Sequence, residues 1–111
     1  MTNVHLIKKG NNFIKLEVYG HSNYDIAGKD IVCAAISSIT QSLIIGLDGV
    51  ISKNFDYNID NKIPKVTLDI SKYNQINMEK AQILFNTFKL TVDRLILDYK
   101  KYIKMKIEEE Y

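Results

Sequence analysis

A chain of 111 residues with 46% hydrophobic and 25% charged residues has the size and balance of one soluble globular domain. Its net charge of +2 is too small to argue for nucleic acid, and its single cysteine excludes an internal disulfide framework and suits a reducing compartment. The start, MTNVHLIKKG, lacks the charged segment and long apolar run of a signal peptide. The apolar stretch from Ile31 to Leu47 is interrupted by Ser37, Ser38, Thr40, Gln41 and Ser42, a pattern that does not suit a lipid-facing span. The expectation is one cytoplasmic domain over residues 1–111, without membrane or direct nucleic-acid partners.

In chain order, VHLIKK and FIKLEVY read as a hairpin turned at KKGNN, where Gly10 and two asparagines tolerate positive φ. Ile14, Leu16 and Val18 alternate with Lys15, Glu17 and Tyr19, giving one buried and one wet face. Gly20 ends that strand, and a loop from Ser22 to Lys29 follows, containing Gly28. A helix is predicted to start at Asp30, a capping residue, and to run to about Leu47, with Gly46 or Gly49 as its stop. Its apolar residues point nearly all round, as in a central helix. A second hairpin follows, with Phe55, Tyr57 and Ile59 alternating on one strand and Val66, Leu68 and Ile70 on the other. A long second helix is predicted from about Met78 to Tyr99, capped by Asn74 or Asn77, with Ala81, Leu84, Phe85, Phe88, Val92, Leu95 and Tyr99 as its buried stripe. Ile103, Met105 and Ile107 then alternate with charged residues, which reads as a closing strand. The order ββαββαβ describes an α+β fold, two hairpins and a C-terminal strand forming a mostly antiparallel sheet packed with two helices.

The stretch GHSNYDIAGKDIVCAAISSI holds the only cysteine and one of two histidines. Cys33 falls in the first turn after Asp30, where free backbone N–H groups and the helix dipole favour a thiolate. The same amides could serve an anionic tetrahedral intermediate. His21 lies twelve residues earlier, across a loop long enough to fold back, so the pair has the makings of a nucleophile and its general base. Cys33, Ser37 and Gln41 are spaced by four and share a helix face, a polar stripe suited to lining a cleft. Residue types alone leave another reading open: cysteine beside Val32 and Ala34 also suits a buried core position, and His21 a loop position bonded to backbone. Two histidines and one cysteine show no metal-ligand spacing, and neither a metal nor another cofactor is expected.

The matching residues Gly20, His21, Gly28, Asp30, Ile31, Val32, Cys33, Ala34 and Ser37 resemble the signature of the Prp family of bacterial ribosomal-processing cysteine proteases. Ser22 departs from the pattern, which usually has alanine there. The resemblance implies a small cytoplasmic homodimeric endopeptidase that removes an N-terminal extension from a large-subunit ribosomal protein, the one usually numbered twenty-seven. It implies His21 and Cys33 as the catalytic dyad, with Ser37 supporting the thiol. Asp30, Gly28, Tyr24 and Ser22 join the supporting and substrate-binding set, the loop from Ser22 to Lys29 matching the family's mobile loop. It further implies targets with paired phenylalanines before the cut, followed by a small residue. Tyr24 would be a lid over the aromatic pocket, swinging about Gly28.

Two other classes compete. A non-enzymatic ribosome-associated binding module would use Lys100, Lys101, Lys104 and Lys106, although Glu108, Glu109 and Glu110 soon cancel that charge. A redox thiol protein would need a second cysteine, which the sequence lacks.

Overall fold

The computed structural model describes residues 1–26 and 29–111. Strands β1 (Thr2–Lys9) and β2 (Asn12–Tyr19) form the first hairpin, with Gly10 at φ 62° in its turn. Helix α1 (Ile31–Gly46) follows, then strands β3 (Asp56–Asp60) and β4 (Lys65–Asp69), helix α2 (Gln75–Tyr99) and strand β5 (Ile103–Glu109). The expected order ββαββαβ is therefore the observed one. The five strands form one sheet in the order β3-β4-β2-β1-β5. Three pairings are antiparallel; β5 runs parallel to β1, because α2 carries the chain across the sheet before the last strand begins.

Alternation along the strands decides which face is covered. Val4 and Leu6 of β1, Leu16 and Val18 of β2, and Leu68 of β4 are buried on the helix side. His5, Lys15 and Glu17 stand on the open side, where His5 approaches Glu108 at 3.0 Å. The α2 stripe closes the core with Ala81, Phe85, Phe88 and Val92 buried; Leu84, Leu95 and Tyr99 pack at its margin. Full burial of a Leu or Phe side chain contributes roughly 1.5–3 kcal/mol. Gln82 fixes α2 along β2, because its side-chain amide donates to the Phe13 carbonyl at 2.9 Å and accepts from the Phe13 N–H at 2.7 Å. The cap of α2 is Asn74, whose side chain accepts from the Asn77 N–H at 2.8 Å.

Two expectations for the first helix are corrected. The α-helix does end at Gly46, but not by a left-handed glycine stop: Gly46 keeps helical dihedrals (φ −63°, ψ −44°), and the backbone continues through a π-helical turn, Leu47–Ile51. Gly46 instead sits where the two helices come close, since a Cβ there would lie 2.8 Å from Leu84 Cδ1. The helix is also not central. Val32, Ile36, Thr40, Leu43 and Ile44 are buried, while Ile31, Ile45 and Val50 remain exposed. The segment Ile31–Ile51, 21 residues with mean hydropathy 1.7, meets the length and composition of a membrane span. One side of it nevertheless packs into the core shared with the sheet and α2.

The edge strand β3 shows the same incomplete coverage. Tyr57 and Ile59 pair with Leu68 and Val66 and so belong to the helix side of the sheet, yet both are about half exposed. Between this hairpin and α1 the layers do not close. The resulting gap is the cleft described next.

Candidate active site

The start of α1 is built around one carboxylate. Asp30 Oδ1 accepts from the backbone N–H groups of Val32 at 3.0 Å and Cys33 at 2.9 Å, as an N-cap does. Its second oxygen gathers the preceding loop. Oδ2 accepts from the Ser22 hydroxyl and from the backbone N–H groups of Tyr24 at 3.1 Å and Asp25 at 3.4 Å. Burial would raise the pKa of this carboxyl. The hydrogen bonds from the Ser22 hydroxyl and the backbone of Cys33 and Asp25, together with Cys33's side chain, outweigh burial and hold it well below the usual carboxylate range.

Cys33 is half-buried and free, not a sealed core residue. Its Sγ lies 3.2 Å from Ser22 Oγ and 3.4 Å from the Ser22 backbone N–H. Ser22 itself is 1% exposed. The thiol borders a cleft of about 330 Å³ between α1 and the second hairpin. The helix contributes Cys33, Ile36, Ser37, Thr40, Gln41 and Ile44; the hairpin contributes Ile59, Asp60, Asn61, Pro64, Lys65 and Val66. A second, wider recess of about 870 Å³ lies on the loop side, lined by Asn23, Asp25, Ile26, Asp30 and Ala34. His21, Cys33 and Ser37 border both, so the thiol lies between two depressions along one surface.

Gly20 sets where His21 begins. It adopts φ 91°, and a Cβ at this position would meet the Met1 carbonyl oxygen at 2.5 Å. Its N–H donates to Pro64 O at 3.2 Å, tying the end of β2 to the hairpin that forms the far wall of the cleft. His21 is exposed and faces the same two depressions as Cys33. No hydrogen bond joins it to the thiol among the described residues; Ser22 occupies that role.

The polar stripe on α1 forms as its spacing predicts, with Gln41 Nε2 donating to Ser37 Oγ at 3.2 Å. The expectation that first-turn amides await an oxyanion is corrected. The Val32 and Cys33 N–H groups are bound to Asp30 Oδ1, and that of Ala34 donates to the Asp30 carbonyl at 3.1 Å. Tyr24 is likewise not over the cleft. Its ring packs edge-on against Tyr99 at 5.6 Å and Tyr102 at 5.1 Å, where apolar ring area is available at the end of α2. Gly28, the expected hinge, lies outside the described residues. Among the described residues no group of three or more His, Cys, Asp or Glu is placed to hold a metal ion.

Sequence reasoning underrated Ser22, whose hydroxyl links carboxylate and thiol, and it missed Gly20 as the contact that seats His21. A small polar residue beside the histidine was the only signal for Ser22. The contact at Gly20 involves Met1, far away in sequence, and left none.

A half-exposed thiol at a capped helix start, sharing a cleft with an imidazole, defines a thiol-dependent hydrolase site. The chain matches the family model described as Cysteine protease Prp over residues 1–104, and it belongs to that family of cysteine proteases. Solved structures agree in fold. The chain is similar to SMU.848 from Streptococcus mutans, with TM-score 0.84 and 26% identity, covering 99% of this chain and 96% of that one. It is also similar to an essential ribosomal processing protease Prp from S. aureus in complex with a covalently linked product peptide. That match has TM-score 0.84 and 19% identity over 96% of this chain and 99% of the other. The S. aureus protease in complex with a substrate peptide matches with TM-score 0.80, 18% identity and the same coverage. Comparison with curated proteins returned no match.

The Asp30 carboxylate ties stability to pH. Its folded-state pKa lies below the unfolded one, so its contribution is complete above the ordinary carboxylate pKa, about 4, and is lost as pH falls further. Asp30→Asn should lower the melting temperature at neutral pH and flatten its fall in acid, as measured by circular dichroism across a pH series. An acid limb unchanged by the substitution would show that Asp30 does not carry this dependence.

Proposed function

We propose that this protease removes an N-terminal extension from a large-subunit ribosomal protein, the twenty-seventh, in the cytoplasm, using Cys33 as nucleophile and His21 as general base. The observation that carries this reading is the shared cleft: the sole cysteine, half-exposed and at the start of α1, borders the same depressions as His21. The S. aureus relative is a ribosomal processing protease, which supports the substrate class.

An extended peptide passes over the thiol with one segment in each depression. His21 takes the Cys33 proton, and the sulfur attacks the scissile carbonyl to form a tetrahedral intermediate. His21 then gives the proton to the departing amine, leaving a thioester on Cys33. Water, deprotonated by the same imidazole, hydrolyses the thioester and restores the thiol. The Val32, Cys33 and Ala34 amides are occupied, and the side chains of Ser37 and Gln41, which line the same cleft, are donor groups available toward the oxyanion.

Specificity resides in the apolar part of the cleft, where Val18, Ile36, Ile44, Ile59 and Val66 surround space for bulky side chains. The enzyme acts as a homodimer. In support, Ile45 and Val50 on the α1 run and Tyr57, Ile59 and Ile63 on the edge hairpin leave apolar surface exposed. The alternative of a non-enzymatic binding module draws no comparable support, because Lys104 and Lys106 stand on an exposed strand with Glu108 and Glu109.

The decisive assay incubates the protein with the same organism's ribosomal protein carrying its native N-terminus and measures product masses. Wild type should give one cut. Cys33→Ala should abolish it without loss of fold, and His21→Ala should slow it by orders of magnitude. Turnover by purified Cys33→Ala would end the reading. In a matched peptide series, alanine in place of the paired aromatics before the cut should reduce cleavage far more than changes to distant charges. Equal cleavage would place the specificity outside the apolar cleft. For assembly, sedimentation at micromolar concentration should give twice the mass of the 12.8 kDa chain, and a monomer would refute the dimer.

A further inference from the structure

Ser22 has one proton to give and three neighbours that engage its hydroxyl oxygen. Asp30 Oδ2 belongs to an ionised carboxylate, which only accepts, so the Ser22 O–H donates there. Both lone pairs of Oγ then face donors: the Tyr24 N–H at 3.4 Å and the Cys33 sulfur at 3.2 Å. With the Ser22 proton already committed, the sulfur contact is a hydrogen bond only if Cys33 S–H is the donor. A thiolate in the same place would confront an oxygen lone pair at that distance. Two features oppose this preference: the Ser22 backbone N–H, 3.4 Å from Sγ, and the positive end of the α1 dipole, since Cys33 lies in the first turn. The N–H bond is long, and a neutral sulfur can accept it while its own proton points to Oγ. The site is also dry on this side, because Ser22 is 1% exposed and water cannot easily replace the missing partner.

We propose that Ser22 is a positioning residue that holds Cys33 as a neutral thiol in the resting enzyme until its proton passes to His21. The inference rests on Cys33 being the nucleophile. In the activating step the S–H bond breaks, the proton passes to the neutral His21 imidazole, and the electron pair stays on sulfur for attack on the carbonyl. Ser22 loses a donor and keeps its bond to Asp30, and no further reagent is consumed. The free enzyme therefore works by general-base activation and not from a standing thiolate–imidazolium pair.

The rate of Cys33 alkylation by iodoacetamide, followed across pH in the full-length protein, tests this directly because the thiolate is the reacting form. Ser22→Ala should react about tenfold faster at neutral pH and move the inflection of the profile to lower pH, the size expected from one hydrogen bond that favours the thiol. Ser22→Thr, which keeps the hydroxyl, should restore the wild-type profile. Asp30→Asn provides a second route. An Asn amide can donate to Ser22 Oγ and free its O–H to turn toward sulfur. It should also speed alkylation, and by more in the wild-type background than in Ser22→Ala. A Ser22→Ala profile that coincides with wild type, or moves to higher pH, overturns the proposal. If Ser22→Ala does not fold, equal Asp30→Asn effects in the wild-type and Ser22→Gly backgrounds overturn it instead. The readout needs no substrate. A shifted profile supports the role of Ser22 even if no peptide is cut, and an unmoved one overturns it even where cleavage is normal.

Discussion

The Asp30 carboxylate is the point on which the site depends. One oxygen satisfies two N–H groups that the start of α1 would otherwise leave unpaired, and the other collects a side chain and two backbone amides from the loop. A single ionised group thereby fixes the direction of the helix, the path of the chain after His21 and the position of Cys33 relative to both. Acceptor-only chemistry makes this arrangement directional. Every group around Asp30 must present a hydrogen, and that requirement propagates through Ser22 to the thiol.

The second constraint is incomplete layering. Two helices cannot cover a five-stranded sheet to its β3 edge, so Tyr57 and Ile59 lie on the helix side without being buried. The uncovered margin becomes a cleft because α1 passes beside it with a polar stripe of Cys33, Ser37 and Gln41 turned inward. The thiol and an apolar lining thus border the same gap. The β2 end contributes His21 from the third side, held there by the close approach of Gly20 to Met1 and its bond to Pro64.

The apolar character of α1 follows from these demands. Val32, Ile36, Leu43 and Ile44 serve the core, while Ile45 and Val50 face away from it. The π-helical turn after Gly46 carries the run to Ile51, and the Tyr73 hydroxyl closes it by donating to the Ser52 carbonyl at 2.6 Å. Burial raises the pKa of that phenol, which keeps its proton available for the bond.

The amino-acid sequence by itself determined the element order, because period-two alternation and three-to-four spacing depend only on neighbours along the chain. It also determined the helix cap at Asp30, whose partners lie within three residues, and the pairing of a cysteine with a helix start, while leaving the cap of α2 between Asn74 and Asn77. Tertiary structure decided the rest. Gly46 looked like a helix stop because its neighbours in sequence permit one, whereas Leu84 on another helix explains its small size. Tyr24 looked like a lid because it sits in the loop, whereas Tyr99 and Tyr102 offer it ring surface elsewhere. The first-turn amides looked free because the sequence cannot say how one carboxylate divides its two oxygens. Ser22 looked like a minor change in size. Its meaning appeared only where folding set its hydroxyl between a carboxylate that must accept and a sulfur that must then donate.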